Sequence, residues 1–231
     1  MNGKLTNAAR ACFANGSRLL FDAELMEFGE PPQTSYFLTL IAQEEIAKGF
    51  LLALVVRGVI PWDTRLLRAT RDHTCKQLLG LVMEYLSPDY DEFRNRIDAV
   101  IVRNEVREVP QHVIDAIQIL RHEKIGRWVP ERWMWEREPA YDVRAKAVSE
   151  GSIDRSKQDA LYVRLGRDGS VANVPHGATY ESVKSERDRA NRMLRLAESV
   201  LDGEEYPALD YDKVEAIFLT VACQDVVPLQ R

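Results

Sequence analysis

The sequence has few cysteines, and they form no metal-binding or disulfide pattern. The three cysteines among 231 residues are Cys12, Cys75 and Cys223, and no Cys-x-x-Cys pair occurs. Sparse, widely spaced thiols are typical of a reducing compartment, and each is predicted to be a small buried apolar group. The chain also lacks a Glu-x-x-His pair, the spacing that metal sites in helix bundles use. We therefore predict neither a metal site nor a cofactor.

A long uncharged apolar stretch is also missing. The best candidate for a membrane-spanning helix is the segment 36–60, but Gln43, Glu44, Glu45 and Lys48 lie near its centre. Charges at that depth are costly in lipid. The first residues contain no apolar core of a signal peptide. We expect no membrane contact and a cytoplasmic location.

Charge of one sign does not dominate the chain. It has 31 basic and 36 acidic residues, and the net charge is −5. This mild excess favours solubility and argues against a general nucleic-acid coat protein, although a local basic site is compatible with it. Hydrophobic residues make up 45% of the chain, which is ample for a core, and the pattern contains no internal repeat.

Apolar residues recur at helical spacing over residues 1–106, which we interpret as the core of a bundle. The pattern predicts an all-α, antiparallel bundle because four helices follow each other with short connections. The second helix is apolar on nearly every side, so it is predicted to lie at the centre. The predicted helices are 5–28, 34 or 35 to 57, 63 or 64 to 86, and 90–106.

The rest of the chain is predicted to complete one domain over residues 1–231. Residues 107–160 are interpreted as an irregular arm with one helix over 112–120, and residues 161–231 as a hairpin followed by helices. Alternating residues around Arg167-Asp168-Gly169 predict the small β-hairpin. The helices after it are predicted over 180–201 and 212–223.

Glu44, Glu45 and Lys48 form a Glu-Glu-x-x-Lys motif in the most apolar predicted helix. Residues three and four apart share a helix face, so both carboxylates can reach the ammonium group. A charge in such a helix must be paired or reach water. Two interpretations stay open: an internal ion pair that orients helices with a further partner from the next helix, or a functional site.

Asp72, His73 and Lys76 lie in the third predicted helix. At about 100° per residue, His73 is roughly 180° from Val82, the middle of the buried stripe of this helix. His73 is therefore either solvated or directed at another element or subunit, and Lys76 shares its side.

The segment 35–49, which contains Gln43-Glu44-Glu45-Ile46-Ala47-Lys48, resembles the central helix of AbiV-type abortive infection proteins, a branch of the HEPN superfamily. Residues 71–76 resemble that family's basic-His-x-x-Lys segment. The stretches 21–25 and 160–175 also fit. The resemblance implies a helical bundle, commonly a homodimer, that takes part in bacterial defence against phage.

Many HEPN proteins are metal-independent endoribonucleases with an Arg-x(4–6)-His motif, so the resemblance also implies an RNA site. His73 would remove the 2′-hydroxyl proton, and Arg68 would stabilise charge on the phosphate. The other residues implied are Glu44, Glu45, Lys48 and Asp72 to organise the site, and Lys76 and Arg71 to bind phosphate.

Two Arg/His pairs fit the motif, Arg68 with His73 and Arg107 with His112. The first pair lies beside the family segment and is preferred for that reason. On one continuous helix, Arg68 and His73 would be roughly 140° apart. They can converge only if the helix begins after Arg68 or if a second subunit completes the site.

Two further interpretations stay open. The protein can instead be a non-catalytic dimeric module that binds a phage or host protein. The second concerns a segment in which arginines and tryptophans are interleaved. Its rings can either stack on nucleic-acid bases or anchor an arm to the core or an interface. The residues concerned are Arg127, Trp128, Arg132, Trp133, Trp135 and Arg137.

Overall fold

The computed structural model describes residues 2–26, 32–101, 109–125 and 140–203, which form helices and one short hairpin. The predicted all-α class with a hairpin insertion is confirmed. No described helix is both long enough and apolar enough to cross a membrane. The predicted helix over 212–223 lies outside the described residues.

Helices α1 (Asn2–Leu25) and α2 (Gln33–Val56) form the first antiparallel pair. The Ser35 hydroxyl, at the start of α2, donates to the Ala23 carbonyl near the end of α1 at 2.7 Å. Further along, Gly49 faces the Phe13 ring so closely that a Cβ at Gly49 would overlap it. Helix α2 starts at Gln33, so the predicted cap at Thr34 or Ser35 is wrong.

The predicted third helix is in fact two helices, α3 (Thr64–Ala69) and α4 (His73–Leu86). The Asp63 carboxylate accepts the Leu66 backbone N–H at 2.8 Å, as an N-cap does. Asp72 repeats this for α4, where it accepts the Cys75 N–H at 3.0 Å. The prediction of one continuous helix is wrong because Asp72 adopts an extended backbone conformation and caps a new helix.

Helices also form in the segment that we predicted to be irregular. After α5 (Tyr90–Ile101) come α6 (Gln111–Gln118), a π-helical segment (Ile119–Ile125), α7 (Val143–Ser149) and α8 (Ser152–Leu161). The prediction of an irregular arm is therefore wrong over 143–160, where two helices pack against α4. Residues 102–108 and 126–139, which include all the arginines and tryptophans of the interleaved segment, lie outside the described residues.

The predicted hairpin is confirmed as two antiparallel strands, β1 (Arg164–Leu165) and β2 (Val171–Asn173). Gly169 adopts a φ of 81° in the turn, a conformation that glycine adopts at little cost. The Asp159 carboxylate of α8 accepts from the Arg164 guanidinium and from Asn173 Nδ2, so it holds both strands.

Helix α9 (Tyr180–Asp202) follows the hairpin and packs along α2. Thr179 and Ser182 form a reciprocal capping box at its start. Helix α2 thus has α1, α9, α4 and α8 around it, which confirms its predicted place at the centre. Cys12 and Cys75 are buried, as predicted, whereas Cys223 lies outside the described residues.

Candidate functional site

Three consecutive polar residues of the central helix reach four neighbouring helices. Gln43, Glu44 and Glu45 are about 100° apart around α2, so each leaves the helix in its own direction. Gln43 contacts α9, Glu44 contacts α4 and α8, and Glu45 contacts α1. Polar side chains are tolerated in this apolar helix because each finds a partner.

Glu44 is the centre of a buried charge cluster. Its side chain is 4% exposed, and both carboxylate oxygens are occupied. Oε2 lies 2.5 Å from His73 Nδ1 and 3.1 Å from Lys76 Nζ. Oε1 accepts from Gln77 Nε2 at 2.9 Å and from the Lys157 ammonium. The two lysines are themselves buried, so they neutralise the carboxylate where water cannot.

The Glu44 carboxylate stays ionised in this setting. Burial raises its pKa, but the hydrogen bond from Lys157, the charge of Lys76 and the hydrogen bond from Gln77 lower it by more, and the resulting pKa is about 2. An ionised carboxylate only accepts hydrogen bonds. The short contact with His73 therefore requires that Nδ1 carries a proton and donates a hydrogen bond to Glu44 Oε2.

His73 connects this buried cluster with the surface. Its side chain is 57% exposed, although its Nδ1 atom faces the buried Glu44. The ring is thus directed at another element, as one of the two sequence interpretations predicted. Because Nδ1 carries the proton, Nε2 of the neutral ring has a free lone pair and can accept a proton from a substrate.

Glu45 and Lys48 form a separate pair on another side of α2. Lys48 Nζ lies 2.7 Å and 2.8 Å from the two Glu45 oxygens, and Asn15 of α1 donates to Glu45 at 3.2 Å. The sequence interpretation placed both carboxylates within reach of Lys48, but among the described contacts Lys48 pairs with Glu45 alone. The Glu-Glu-x-x-Lys motif therefore serves two clusters.

The arginines of the predicted site lie in the chain that leads into α4. Arg68 is exposed near the end of α3, and Arg71 is exposed in the turn before Asp72. No hydrogen bond or ion pair between the described side chains joins either arginine to His73. Because α4 begins at His73, the separation of 140° expected on a continuous helix no longer applies.

A model of the AbiV family, within the HEPN group, matches residues 4–202. The chain belongs to the AbiV family. This is a family of abortive-infection proteins of HEPN type, as the resemblance of the central helix implied. No curated protein and no solved structure matches the chain in the same comparisons.

Lys157 and Gln77 are members of the AbiV protein's charge cluster that sequence reasoning missed. Gln77 follows Lys76 in α4, and Lys157 lies 113 residues after Glu44. A signal for Lys157 was present, because Ile153, Lys157 and Ala160 recur at helical spacing on the buried side of α8. A lysine on an apolar stripe needs a carboxylate partner.

The second Arg/His candidate is the pair of Arg107 and His112. Arg107 lies outside the described residues, and His112 lies in α6. Burial and the charge of Arg144 lower the pKa of His112, despite the opposing effect of Asp142. Among the described residues, no group of three or more histidine, cysteine or acidic side chains is placed to hold a metal ion.

A further polar network extends from Gln43. Its Nε2 atom donates to Glu186 Oε2 of α9 at 2.7 Å, and Arg189 Nη1 lies 3.0 Å from the same oxygen. Arg189 also pairs with Glu84 of α4 at 3.2 Å, and Glu84 accepts from Arg144 of α7 at 2.7 Å. This network joins four helices and contains no residue of the predicted site.

Proposed function

We propose that this AbiV protein is a metal-independent endoribonuclease in which His73 is the catalytic base. The observation that carries the proposal is the contact of 2.5 Å between His73 Nδ1 and the buried Glu44 carboxylate. A carboxylate that holds one ring nitrogen leaves the other free for proton transfer, the arrangement that general-base histidines use.

The proposed reaction uses the RNA's own 2′-hydroxyl group as the nucleophile. His73 Nε2 takes the hydroxyl proton, and the 2′-oxygen forms a bond to the adjacent phosphorus. The bond from phosphorus to the 5′-oxygen breaks, that oxygen takes a proton from water, and the remaining hydroxide takes the 2′-hydroxyl proton back from His73. The products are a 2′,3′-cyclic phosphate and a 5′-hydroxyl end, so atoms and charge balance without an added reactant.

We assign the phosphate to Arg68 and Arg71. Both guanidinium groups are exposed on the chain segment next to His73, and guanidinium is well suited to phosphate oxygens. Lys76 was predicted for the same role, but its ammonium is buried on Glu44. We therefore propose that Lys76, with Asp72 as the cap of α4, supports His73 from within the protein.

The test compares purified wild type with His73→Ala and, as a matched control, His176→Ala. His176 is an exposed histidine of the chain after the hairpin, and its Nδ1 faces the Val174 carbonyl. We expect His73→Ala to lose about 100-fold or more of the RNA cleavage, as loss of a general base does, whereas His176→Ala keeps it. Cleaved ends should carry the cyclic phosphate, and an oligonucleotide without 2′-hydroxyl groups should stay intact.

A second pair of variants addresses the phosphate contact. Arg68→Ala should slow cleavage, whereas Arg167→Ala, at an exposed arginine of the hairpin turn, should not. Undiminished cleavage in folded His73→Ala contradicts the proposed base. RNA that stays intact in cells whose growth the wild type arrests contradicts the ribonuclease as a whole.

A second candidate function is a non-catalytic module that binds a phage or host protein. The observation that favours it is a group of apolar side chains on and beside the hairpin, each more than half exposed: Tyr162, Val163, Leu165, Val171 and Val174. Such a surface is typical of a binding site for protein. This candidate predicts growth arrest that survives His73→Ala and is lost in a Leu165→Asp, Val171→Asp double variant.

A further inference from the structure

The ammonium group of Lys157 is the most deeply buried positive charge of the Glu44 cluster. The Lys157 side chain is 4% exposed, and its Nζ atom contacts Glu44 Oε1 and lies 3.0 Å from Asp154 Oδ1. Lys157 comes from α8, whereas His73 and Lys76 come from α4. The carboxylate that holds His73 is thus shared between two helices far apart in sequence.

The two oxygens of Glu44 have different partners. Lys157 and Gln77 hold Oε1, whereas His73 and Lys76 hold Oε2. A carboxylate that is anchored on one oxygen cannot turn freely about its terminal bond, so the other oxygen keeps a fixed direction. Lys157 therefore helps to aim Oε2 at the His73 ring.

The ion pairs of the Glu44 cluster balance in charge when Lys157 and its second partner, Asp154, are both counted. Glu44 and Asp154 carry two negative charges, and Lys76 and Lys157 carry two positive charges. With this balance, the ring can be neutral without leaving the buried carboxylate uncompensated. Without Lys157, the cluster has one excess negative charge, and a second proton on His73 would offset it. A doubly protonated ring cannot accept a proton from a substrate.

We infer that Lys157 is a positioning residue for His73. Lys157 acts through Glu44 to fix the direction of the His73 ring and to keep the ring neutral. The inference deepens the proposed function and rests on it in one respect, the use of His73 as a base. The relation between Lys157 and the charge of the ring is testable without RNA.

The experiment follows the His73 ring by nitrogen-15 NMR in the full chain at neutral pH. The chain has four histidines, and the His73 signals are those absent from His73→Ala. We expect Lys157→Met to increase the fraction of doubly protonated ring, whereas Lys157→Arg, which keeps the charge, should resemble the wild type. Lys146→Met, at an exposed lysine of α7, is the matched control and should change nothing.

A second variant tests the same balance in the opposite direction. The Asp154 side chain is 40% exposed, so Asp154→Asn should fold even if Lys157→Met does not. Removal of this negative charge should decrease the fraction of doubly protonated ring. An unchanged ring in Asp154→Asn, or in folded Lys157→Met, overturns the inference.

RNA cleavage then separates this inference from the proposed function. If the wild type cleaves RNA, Lys157→Met should cleave more slowly at neutral pH and regain part of the rate at higher pH, where the ring loses its second proton. If the ring responds as expected but the wild type cleaves no RNA, the coupling of Lys157 to His73 stands and the ribonuclease proposal fails. If the wild type cleaves RNA but the His73 ring does not respond to the substitutions, the inference about Lys157 fails and the ribonuclease proposal stands.

Discussion

The imidazole of His73 and the carboxylate of Glu44 meet at 2.5 Å across the boundary between solvent and core, since the first side chain is 57% exposed and the second is 4% exposed. Glu44 and His73 are 29 positions apart in the sequence and lie on two different helices. A surface group is thereby held by a charge that water does not reach, and this charge needs its own support from Lys76 and Lys157.

Glu44→Gln should strongly destabilise the fold. The substitution leaves the Lys76 and Lys157 ammonium groups buried without a full negative partner, and breaking a buried ion pair in this way costs about 3 kcal/mol or more. The free energy of unfolding, measured by urea denaturation, should fall by that order. Glu45→Gln is the matched control, because its side chain is 19% exposed, and it should cost about 1 kcal/mol or less. Equal losses would contradict the special place of Glu44.

Acid should weaken the protein through Glu44 in a defined window. The pKa of this carboxyl is about 2 in the folded protein, against 4.5 for an ordinary glutamate. A group with a lowered folded pKa stabilises fully above the unfolded pKa, and that stabilisation is lost as the pH falls through the folded pKa. The difference in unfolding free energy between wild type and Glu44→Gln should therefore shrink from pH 4.5 to about 2. A difference that stays constant over this range in urea titrations would rule out the lowered pKa.

Asp72→Ala should remove the N-cap of α4. The Asp72 carboxylate accepts the Cys75 N–H at 3.0 Å, and loss of such a cap costs about 1 kcal/mol. Asp72→Asn keeps an oxygen that can accept this bond, so it should cost much less. Thermal unfolding followed by circular dichroism compares the two. If Asn and Ala lower the melting temperature equally, the charge of Asp72 matters and not its capping bond.

Gly49→Ala should destabilise the pairing of α1 with α2. The new Cβ would overlap the Phe13 ring and lie 3.1 Å from Cys12 Cβ, and crowding of this kind costs about 1–3 kcal/mol. Gly3→Ala is the matched control, because no atom lies within 4 Å of a Cβ there. It should leave stability unchanged or raise it by up to about 1 kcal/mol, since alanine is the better helix former. Urea denaturation of both variants gives the comparison, and a stable Gly49→Ala would show that the helices can separate without cost.

The fold was predictable where the signal is local. The turn at Gly169 and the start of α9 at Tyr180 each depend on neighbouring residues, and both are found as expected. The break before α4 was not predictable in this way. The residues before and after Asp72 fit the same apolar stripe. Only the extended backbone of Asp72 distinguishes a cap from a helical residue.

The candidate site was predictable only in part for a similar reason. A glutamate in the apolar α2 requires partners, and the sequence predicts one from the next helix, where His73 and Lys76 lie. The charged partner of Oε1, Lys157, lies 113 residues after Glu44, and no pattern of spacing links the two residues. The roles of Arg68 and Arg71 stay predictions, because their exposed side chains have no described contact with His73.

The position of Lys157 also has a consequence for synthesis of the protein. The ribosome completes α2 and α4, with Glu44 and His73, long before it adds residue 157. A nascent chain that ends before residue 157 contains the whole segment that carries the proposed base. Its Glu44 carboxylate, however, has only one of its two ammonium partners. In an abortive-infection protein, this order of assembly withholds the finished cluster from incomplete chains and reserves it for those that have reached α8.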